Sequence, residues 1–252
     1  MGLTDAILLA AGTGSRYSQS LPKQFHLLEE KPVFVWSLLH LAKSVPLRKI
    51  WLVVSQEHMA LTRALLEKFS PKEVLGKTQL VLGGPQRQDS SLNALQAIQR
   101  IDPHPHSVLI HDACRPYISS SLAKGIREHI GLKDKKGWIP VIPVTETLKK
   151  VEHNLVKETI NRLGIFRVQT PQIFCFSTLI DCFLLAKNTP EISFTDDASV
   201  LELFGKEVGT FPGDERNIKL TYEKDSEFIK PHLVELKGEL PCVSAAVMTS
   251  IV

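Results

Sequence analysis

Short runs of apolar residues alternate along the chain with longer stretches in which apolar positions recur every three or four residues. The runs predict buried strands, because they are short and bounded by polar or turn-forming residues. These strands cover residues 6–11, 49–55, 78–82, 107–111 and 138–144. The amphipathic stretches predict helices over 33–42, 57–69, 88–101 and 119–130. Continuous apolar strands separated by such helices indicate an α/β fold with a mostly parallel sheet covered by helices on both faces.

The regular alternation breaks between Pro143 and Gln172. β-Branched residues are spread among polar ones there without a helical period, which predicts an extended β-arm inserted into the α/β domain. A hairpin alone is only marginally stable in water, so we expect this arm to pack on something, and a partner subunit is one candidate. The pattern then resumes with predicted helices over 177–187, 195–204 and 224–235 and predicted strands over 206–211 and 217–221.

Length and composition are those of an ordinary globular protein. The 252 residues are 43% hydrophobic and 23% charged, which excludes a mainly disordered chain. We expect a single domain over residues 1–237, including the arm at about 143–172, and a tail over 238–252 to which the pattern assigns no role. The apolar runs stay well short of the about 18 residues that a membrane span needs, and the first residues lack the basic start of a signal peptide.

Charge and cysteine content exclude several classes of partner. The 30 Lys and Arg residues against 27 Asp and Glu give a net charge of +3, and no basic run interleaved with aromatic residues indicates nucleic-acid binding. The four cysteines form no C-x-x-C pair and no Cys/His spacing typical of zinc sites. Free thiols are expected in a reducing compartment, so the expected location is the cytoplasm.

The first predicted strand runs into the glycine-rich segment AAGTGSR, residues 10–16. Such a turn lets backbone N–H groups approach a phosphate closely. The third glycine of the dinucleotide motif is replaced by Tyr17. That motif also needs an acidic residue about 20 residues further on, at the end of the second strand, whereas the second predicted strand ends at Ser55, about 40 residues after Gly12, so NAD is disfavoured. Arg16 and Lys23 bring two cations to the loop, which suits a triphosphate. The alternative is an ordinary solvated loop.

The fourth predicted strand ends in HDACRP, residues 111–116. Ligands of open α/β sheets bind beyond the carboxyl ends of the strands. Asp112 there would repel a phosphorylated ligand unless a cation lies between them, so Asp112 is a candidate ligand of Mg²⁺. Arg115 is a candidate for a second anionic group. The alternative is that Asp112 caps the next turn and pairs with Arg115. His111 is interpreted as a structural residue.

A glycine pair follows the third predicted strand, in GGPQRQDS, residues 83–90. It would let main-chain groups reach a ligand such as a base edge, although an ordinary strand-to-helix turn explains the pattern equally well. No Ser, Cys or Thr has the G-x-S-x-G context of a nucleophile elbow. The pattern therefore favours nucleotide binding without a protein nucleophile.

Several segments, in this order, resemble the 2-C-methyl-D-erythritol 4-phosphate cytidylyltransferases of the non-mevalonate isoprenoid route. They are AAGTGSR (10–16), PKQF (22–25), HDACRP (111–116), TPQ (170–172), TDDAS (195–199) and NIKLT (217–221). The resemblance covers roughly residues 4–237. It implies a Rossmann-like nucleotidyltransferase fold, CTP and a sugar-alcohol phosphate as substrates, and a homodimer in which each arm completes the partner's site.

The resemblance also implies roles for the charged residues. Arg16 and Lys23 would bind the phosphates of CTP. Asp112 would hold the ribose or Mg²⁺. Arg115 and Lys219 would bind the acceptor or the reacting phosphates, and Arg16, Lys23 and Lys219 would be the catalytic residues.

Two further groups of residues receive roles by the same resemblance. Thr147 and Arg162, both within the arm, would reach the acceptor across the dimer. The cytosine end of CTP would be recognised by Ala10, Ala11, Gly12, Gly84 and Ser90.

Departures from the family pattern leave alternatives open. Pro85 replaces a common acidic residue of the glycine turn, Cys114 replaces a more usual Ala or Val, and Arg216 stands where an acidic residue is common. The acceptor could instead be ribitol 5-phosphate, since that family shares the first loop and PKQF. A catalytically silent nucleotide-binding module and a hydride-transferring enzyme are the alternatives from other classes.

Overall fold

The fold is known from a computed structural model, which describes residues 3–13, 17, 21–101, 103–187 and 193–234. The helices in this part of the chain are α1 (Val33–Ser44), α2 (Met59–Phe69), α3 (Lys72–Lys77), α4 (Arg87–Gln99), α5 (Ser120–His129), α6 (Phe176–Ala186), α7 (Ala198–Leu203) and α8 (Asp225–Val234). The tail over 238–252 lies outside the described residues. Within them, no helix combines the length and the apolar character that crossing a membrane requires.

Six predicted strands, over 6–11, 49–55, 78–82, 107–111, 138–144 and 206–211, are present with ends shifted by at most two residues, whereas the strands over 27–28, 31–32 and 172–175 were not predicted. They are β1 (Thr4–Leu9), β2 (Leu27–Leu28), β3 (Lys31–Pro32), β4 (Lys49–Val54), β5 (Thr78–Leu82), β6 (Ser107–Asp112), β7 (Gly137–Pro143), β8 (Leu148–Glu152), β9 (Leu155–Ile160), β10 (Phe166–Val168), β11 (Gln172–Cys175) and β12 (Val208–Pro212). Eight of them form the central sheet, in the order β10-β7-β11-β6-β1-β4-β5, with β12 paired to β7.

The sheet is mostly parallel, as the sequence predicts. Strands β6, β1, β4 and β5 are parallel to one another, whereas β11 lies antiparallel between β6 and β7. In the parallel part, Leu9 is level with Val53 of β4 and Asp112 of β6. The loops that follow β1, β4 and β6 therefore emerge at one edge of the sheet, where ligands of this architecture bind.

Helices cover both faces of the sheet. Because successive side chains of a strand point to opposite faces, Leu8 packs with Phe34 of α1 on one side, and its neighbour Ile7 packs with Leu95 of α4 on the other. All four side chains are fully buried. The two apolar layers fix the carboxyl edge of the sheet as a rigid base for the loops above it.

The predicted arm is an antiparallel hairpin of β8 and β9 that forms a two-stranded sheet of its own. Its turn is formed by His153 and Asn154, both with positive φ. β10 returns the chain to the edge of the central sheet beside β7. Apolar side chains of the arm and its return segment stay exposed, and Leu163 keeps 87% of its surface.

The strand predicted over 217–221 is wrong. This segment belongs to no sheet, because loops satisfy its polar groups. The Asn217 carbonyl accepts a hydrogen bond from Arg115 at 2.7 Å, and the Asn217 amide donates to the Thr170 carbonyl at 2.8 Å. The Leu220 N–H donates to the Cys114 carbonyl at 2.8 Å. The segment is thus fastened to the loop after β6, which brings Lys219 to Asp112.

Candidate active site

A cavity of about 380 Å³ opens at the carboxyl edge of the parallel strands. The loops after β1, β5 and β6 line it, together with Lys23 and Lys219. Of the residues predicted to bind substrate or to act in catalysis, eight line this cavity: Ala10, Ala11, Gly12, Lys23, Gly84, Ser90, Asp112 and Lys219. The fold therefore gathers into one space residues that are distant in the sequence.

A buried glutamine side chain stabilises the loop after β1 by hydrogen bonds to its backbone. The Gln24 side-chain amide donates to the Ala10 carbonyl at 2.6 Å and to the Gly12 carbonyl at 2.8 Å. Gln24 belongs to a short 3₁₀ turn, Lys23–Phe25, in which Phe25 is buried against α1. The same turn that anchors the loop therefore sets Lys23 at the cavity wall. Sequence reasoning quoted Gln24 within PKQF and gave it no role.

The glycine pair after β5 is required by close packing. A Cβ on Gly83 would lie 2.4 Å from the Ala11 Cβ, and one on Gly84 would lie 2.3 Å from the Asp89 Cβ. The Gly84 N–H donates to the Ser90 hydroxyl at 3.1 Å, and that hydroxyl lies 3.2 Å from the Gln86 carbonyl. The side chain of Ser90 thus fixes the turn at the cavity wall.

Asp112 stands at the centre of a group of cations. Its Oδ2 lies 2.8 Å from the Lys219 ammonium and 3.8 Å from the Arg115 guanidinium, and its Oδ1 lies 3.5 Å from Arg87. Burial by itself would raise the pKa of this carboxyl group, but the charges of Arg87, Lys219 and Arg115 outweigh it and hold the pKa well below its usual range. Asp112 is therefore ionised throughout the physiological range.

Arg115 lies behind Asp112 and is not among the residues that line the cavity. Its Nη1 donates to the Asn217 carbonyl, so it connects the loop after β6 to the segment that carries Lys219. Burial lowers the pKa of Arg115, although Asp112 opposes this shift. In this arrangement, Arg115 contacts Asp112 from the protein side.

His111 is a satisfied structural residue, as interpreted from the sequence. Its side chain is fully buried, with Nδ1 at 2.8 Å from the Thr170 hydroxyl and Nε2 at 3.0 Å from the Arg115 carbonyl. Burial lowers its pKa to about 4. Cys114 lines the cavity, and burial raises the pKa of its thiol to about 11, so it remains protonated and is a poor nucleophile.

Three further residues predicted to belong to the site are not placed at the cavity by the described structure. Arg16 lies outside the described residues. Thr147 and Arg162 are exposed on the arm and do not line the cavity of their own chain. Arg162 donates to the Thr145 carbonyl within the arm. Their predicted contact with an acceptor therefore depends on a second subunit.

Sequence reasoning missed Arg87, which lines the cavity. Arg87 stands in the quoted segment GGPQRQDS, but the segment does not reveal that its side chain faces Asp112. The signal that could have found it is position, because a cation in the first turn after a glycine pair points toward the carboxyl edge of the sheet. Thr170 was also missed, because its partner His111 is 59 positions away.

A larger cavity, of about 550 Å³, lies near the amino ends of β6 and β7. Lys133, Lys135 and Lys136 line it above an apolar floor that includes Trp138. It contains none of the residues predicted to bind substrate and lies at the opposite edge of the sheet from Asp112. The smaller cavity is therefore the candidate active site.

Comparisons with known protein sequences agree on one family. The sequence profile described as IspD, 2-C-methyl-D-erythritol 4-phosphate cytidylyltransferase, matches residues 4–231. A protein of that name from Bacillus cereus is 36% identical over 220 residues, which are 87% of this chain and 92% of the relative. The bifunctional enzyme IspD/IspF of Bartonella tribocorum is 37% identical over 222 residues, which are 87% of this chain and 54% of the relative. The chain thus spans about half the length of that bifunctional relative.

Solved structures share the fold. The 2-C-methyl-D-erythritol 4-phosphate cytidylyltransferase of Francisella tularensis superposes with a TM-score of 0.74 at 26% identity, covering 91% of this chain and 99% of that one. The 4-diphosphocytidyl-2C-methyl-D-erythritol synthase of Anaerococcus prevotii gives a TM-score of 0.74 at 24% identity, covering 92% and 96%. The second likeness concerns the fold alone.

Proposed function

Because this chain belongs to the 2-C-methyl-D-erythritol 4-phosphate cytidylyltransferase family, we propose that it transfers CMP from CTP to 2-C-methyl-D-erythritol 4-phosphate. The products are 4-diphosphocytidyl-2-C-methyl-D-erythritol and pyrophosphate, a step in the synthesis of isoprenoid precursors. The observation that carries the proposal is the common cavity that Lys23, Lys219 and Asp112 line together with the loop after β1.

The reaction is a substitution at phosphorus. A phosphate oxygen of the acceptor forms a bond to the α-phosphorus of CTP, and the bond from that phosphorus to the bridging oxygen of the β-phosphate breaks, so pyrophosphate leaves with the electron pair. No protein nucleophile is required, in agreement with the protonated Cys114 thiol in the cavity wall. The main barrier is the approach of two polyanions and the charge that develops between them.

Two lysines are suited to lowering that barrier. Lys23 and Lys219 line the cavity on different loops, so they can contact the triphosphate from two sides. Lys219 lies 2.8 Å from Asp112, and its side chain keeps 41% of its surface, which leaves the ammonium accessible to an incoming phosphate. Arg16 is proposed as a third cation at the triphosphate, on the strength of the family resemblance of residues 10–16.

The other end of the cavity is proposed to hold the cytosine and the ribose. The loop after β1 and the glycine turn after β5 approach each other closely, since Gly83 admits no Cβ beside Ala11. A narrow space between two backbones suits a flat base whose edge can bond to main-chain groups. The residues proposed to form it are Ala10, Ala11, Gly12, Gly84 and Ser90.

Mg²⁺ is the proposed cofactor, and the donor set fits it in one particular way. The described residues contain no group of three or more His, Cys, Asp or Glu side chains that could hold a metal by themselves. Asp112 is the one carboxylate among the described residues that line the cavity. Mg²⁺ commonly binds through one or two carboxylates, water and substrate phosphates, so Asp112 would hold it together with CTP. When bound, it would neutralise phosphate charge.

The exposed apolar side chains of the arm support a homodimer as the functional form. Leu155, Val156 and Leu163 are exposed, and such a patch is typical of a surface that packs on another chain. We propose that each arm brings Thr147 and Arg162 to the acceptor in the partner's cavity. A single chain would then hold only part of the acceptor site.

The proposed reaction is tested by incubating purified protein with radiolabelled CTP and 2-C-methyl-D-erythritol 4-phosphate, with and without Mg²⁺. We expect labelled 4-diphosphocytidyl-2-C-methyl-D-erythritol and an equal amount of pyrophosphate, with little turnover when the metal is chelated. A parallel reaction with ribitol 5-phosphate tests the alternative acceptor. Binding of CTP without pyrophosphate release from any acceptor would contradict the proposal and indicate a silent nucleotide-binding protein.

A further inference from the structure

Arg87 lies between two carboxylates at the first residue of α4. Its Nη2 atom is 2.7 Å from Asp197 Oδ2 and 3.5 Å from Asp112 Oδ1. The side chain lines the cavity with 27% of its surface exposed, whereas Asp197 is buried. Arg87 therefore connects the acidic group of the active site to a second acidic group beneath it.

Asp197 is fixed by the same helix that carries Arg87. Its Oδ1 accepts a hydrogen bond of 2.6 Å from the hydroxyl of Ser91, which is fully buried one turn after Arg87 on α4. Asp197 itself immediately precedes α7. The carboxylate thus receives one contact at each oxygen, and both contacts come from α4.

The three cations around Asp112 differ in how firmly they are held. Lys219 sits on a flexible stem and is the most exposed of the three, and Arg115 uses one nitrogen on the Asn217 carbonyl. Arg87 alone among them has a second, buried carboxylate behind it in the described part of the chain. Although burial alone would lower the pKa of Arg87, Asp197 and Asp112 raise it above its usual range. Its charge is therefore balanced before any substrate enters.

We infer that Arg87, anchored by Asp197, is a positioning residue that fixes the Asp112 carboxylate at the cavity wall. The inference rests on the proposed reaction, in which Asp112 faces the substrates. The anchor acts through geometry, because Asp197 and Ser91 do not line the cavity. Without Asp197, the Arg87 guanidinium would be unbalanced and free to move onto Asp112 or onto a substrate phosphate, and either shift would misplace the carboxylate.

The test compares Asp197→Asn with a matched variant, Asp5→Asn. Asp5 is also a buried carboxylate paired with an arginine, since Arg48 contacts both of its oxygens at 2.7 Å. It lies four residues before Leu9 on β1, about 13 Å from the carboxyl edge at the usual rise per residue. Each substitution removes one buried charge, so both should lower Tm.

Only the Asp197 variant should change turnover. We expect kcat for Asp197→Asn to fall by at least about tenfold, with KM for CTP changing less, because the lost group touches no substrate. Asp5→Asn should keep kcat within about twofold of the wild type, since distant sites act independently. Equal kcat values for the two variants would overturn the inference and leave Asp197 with a purely structural role.

A double-mutant cycle provides the second measurement. If Asp197 acts through Asp112, then adding Asp197→Asn to Asp112→Asn should cost little further activity, whereas independent roles would multiply the two losses.

Arg87→Lys covers the case in which Asp197→Asn folds poorly. A lysine keeps the charge but replaces the rigid, planar guanidinium with a point charge on a flexible stem, so kcat should fall while Tm stays close to the wild-type value. Wild-type turnover in Arg87→Lys, or multiplied losses in the cycle, would overturn the inference.

The proposed reaction can fail separately from this inference. If the wild type releases no pyrophosphate with any acceptor, the affinity of each variant in the same cycle for CTP is measured by calorimetric titration. A non-additive change in CTP affinity between Asp112→Asn and Asp197→Asn, of either sign, would still support the anchor. Additive changes would overturn it.

Discussion

The Thr170 hydroxyl lies 2.8 Å from His111 Nδ1 and 3.1 Å from the backbone nitrogen of Asp112. Because that hydroxyl accepts the N–H of Asp112, its own proton is available for Nδ1. His111 is then the neutral tautomer with its proton on Nε2, which donates to the Arg115 carbonyl at 3.0 Å. A single hydroxyl thus orders the loop that carries both Asp112 and Arg115.

Removing that hydroxyl should loosen the loop. Thr170→Val keeps the volume nearly constant but leaves the Asp112 N–H and His111 Nδ1 without a partner, each at a cost of about 1–3 kcal/mol. For a protein of this size we expect Tm to fall by at least about 3 °C and kcat to decline with it. Thermal unfolding and steady-state turnover check this. Thr170→Ser, which keeps the hydroxyl, is the control, and a valine variant that matches the serine variant would contradict the network.

Substituting either cavity lysine should slow the reaction without unfolding the protein. Removing one preorganised positive group from a charged transition state typically costs about 3–4 kcal/mol, so Lys23→Ala and Lys219→Ala should each lower kcat by at least about a hundredfold. Lys77→Ala is the matched control, because Lys77 pairs with Glu73 on the exposed face of α3. Circular dichroism checks the fold. A variant with near-normal turnover would remove its lysine from the mechanism.

Mixing two inactive variants tests whether the arm completes the partner's site. Arg162→Ala damages the arm, and Asp112→Ala damages the cavity. In a mixed dimer both lesions fall in one site and the other site is intact, so random mixing should restore about a quarter of the wild-type activity.

The control for this experiment mixes Asp112→Ala with Lys23→Ala. Both of these residues line the cavity of their own chain, so every site of a mixed dimer keeps one lesion. We expect no recovery of activity there. Equal recovery, or equal absence of recovery, in the two mixtures would argue against a shared site.

Stability should fall as the pH drops below about 6.5, and His40 is one cause. Burial among aromatic rings lowers its pKa to about 4, while the N–H of Ile118 donates to its Nδ1 at 3.2 Å. The folded pKa lies below that of the unfolded chain, so the unfolded state takes up the proton first. The contribution of neutral, buried His40 to the free energy of unfolding is complete above about pH 6.5. About 3 kcal/mol of this contribution is lost between pH 6.5 and 4.

Urea unfolding between pH 7 and 4.5 measures this slope. His40→Asn should flatten it, because an amide oxygen can still accept the Ile118 N–H but takes up no proton. His153→Asn, in the exposed turn of the arm, is the control for removing a histidine. An unchanged slope in His40→Asn would show that other groups cause the loss.

The local pattern of the sequence determined the order of helices and strands in the parallel part of the sheet. Apolar runs such as 49–55 are too short for a typical buried helix and lie between amphipathic stretches, which favours buried strands. The position of Asp112 at the end of such a run was enough to predict it at the carboxyl edge. The break in the pattern after Pro143 was enough to predict the arm, because β-branched residues without a helical period favour extended structure.

The tertiary structure alone decided which distant groups meet, because contacts between loops leave no period in the sequence. The segment over 217–221 has the composition of a strand, yet its hydrogen bonds go to the loop after β6 and to Thr170, before β11, rather than to a neighbouring strand. The pairing of Arg87 with Asp197 joins the starts of two helices on the same face of the sheet, and the packing of α4 against α6 and of α6 against α7 brings them together. Residue type supplies the charges, but only the packed fold sets the distances of a few ångströms that place Arg87 between Asp197 and Asp112.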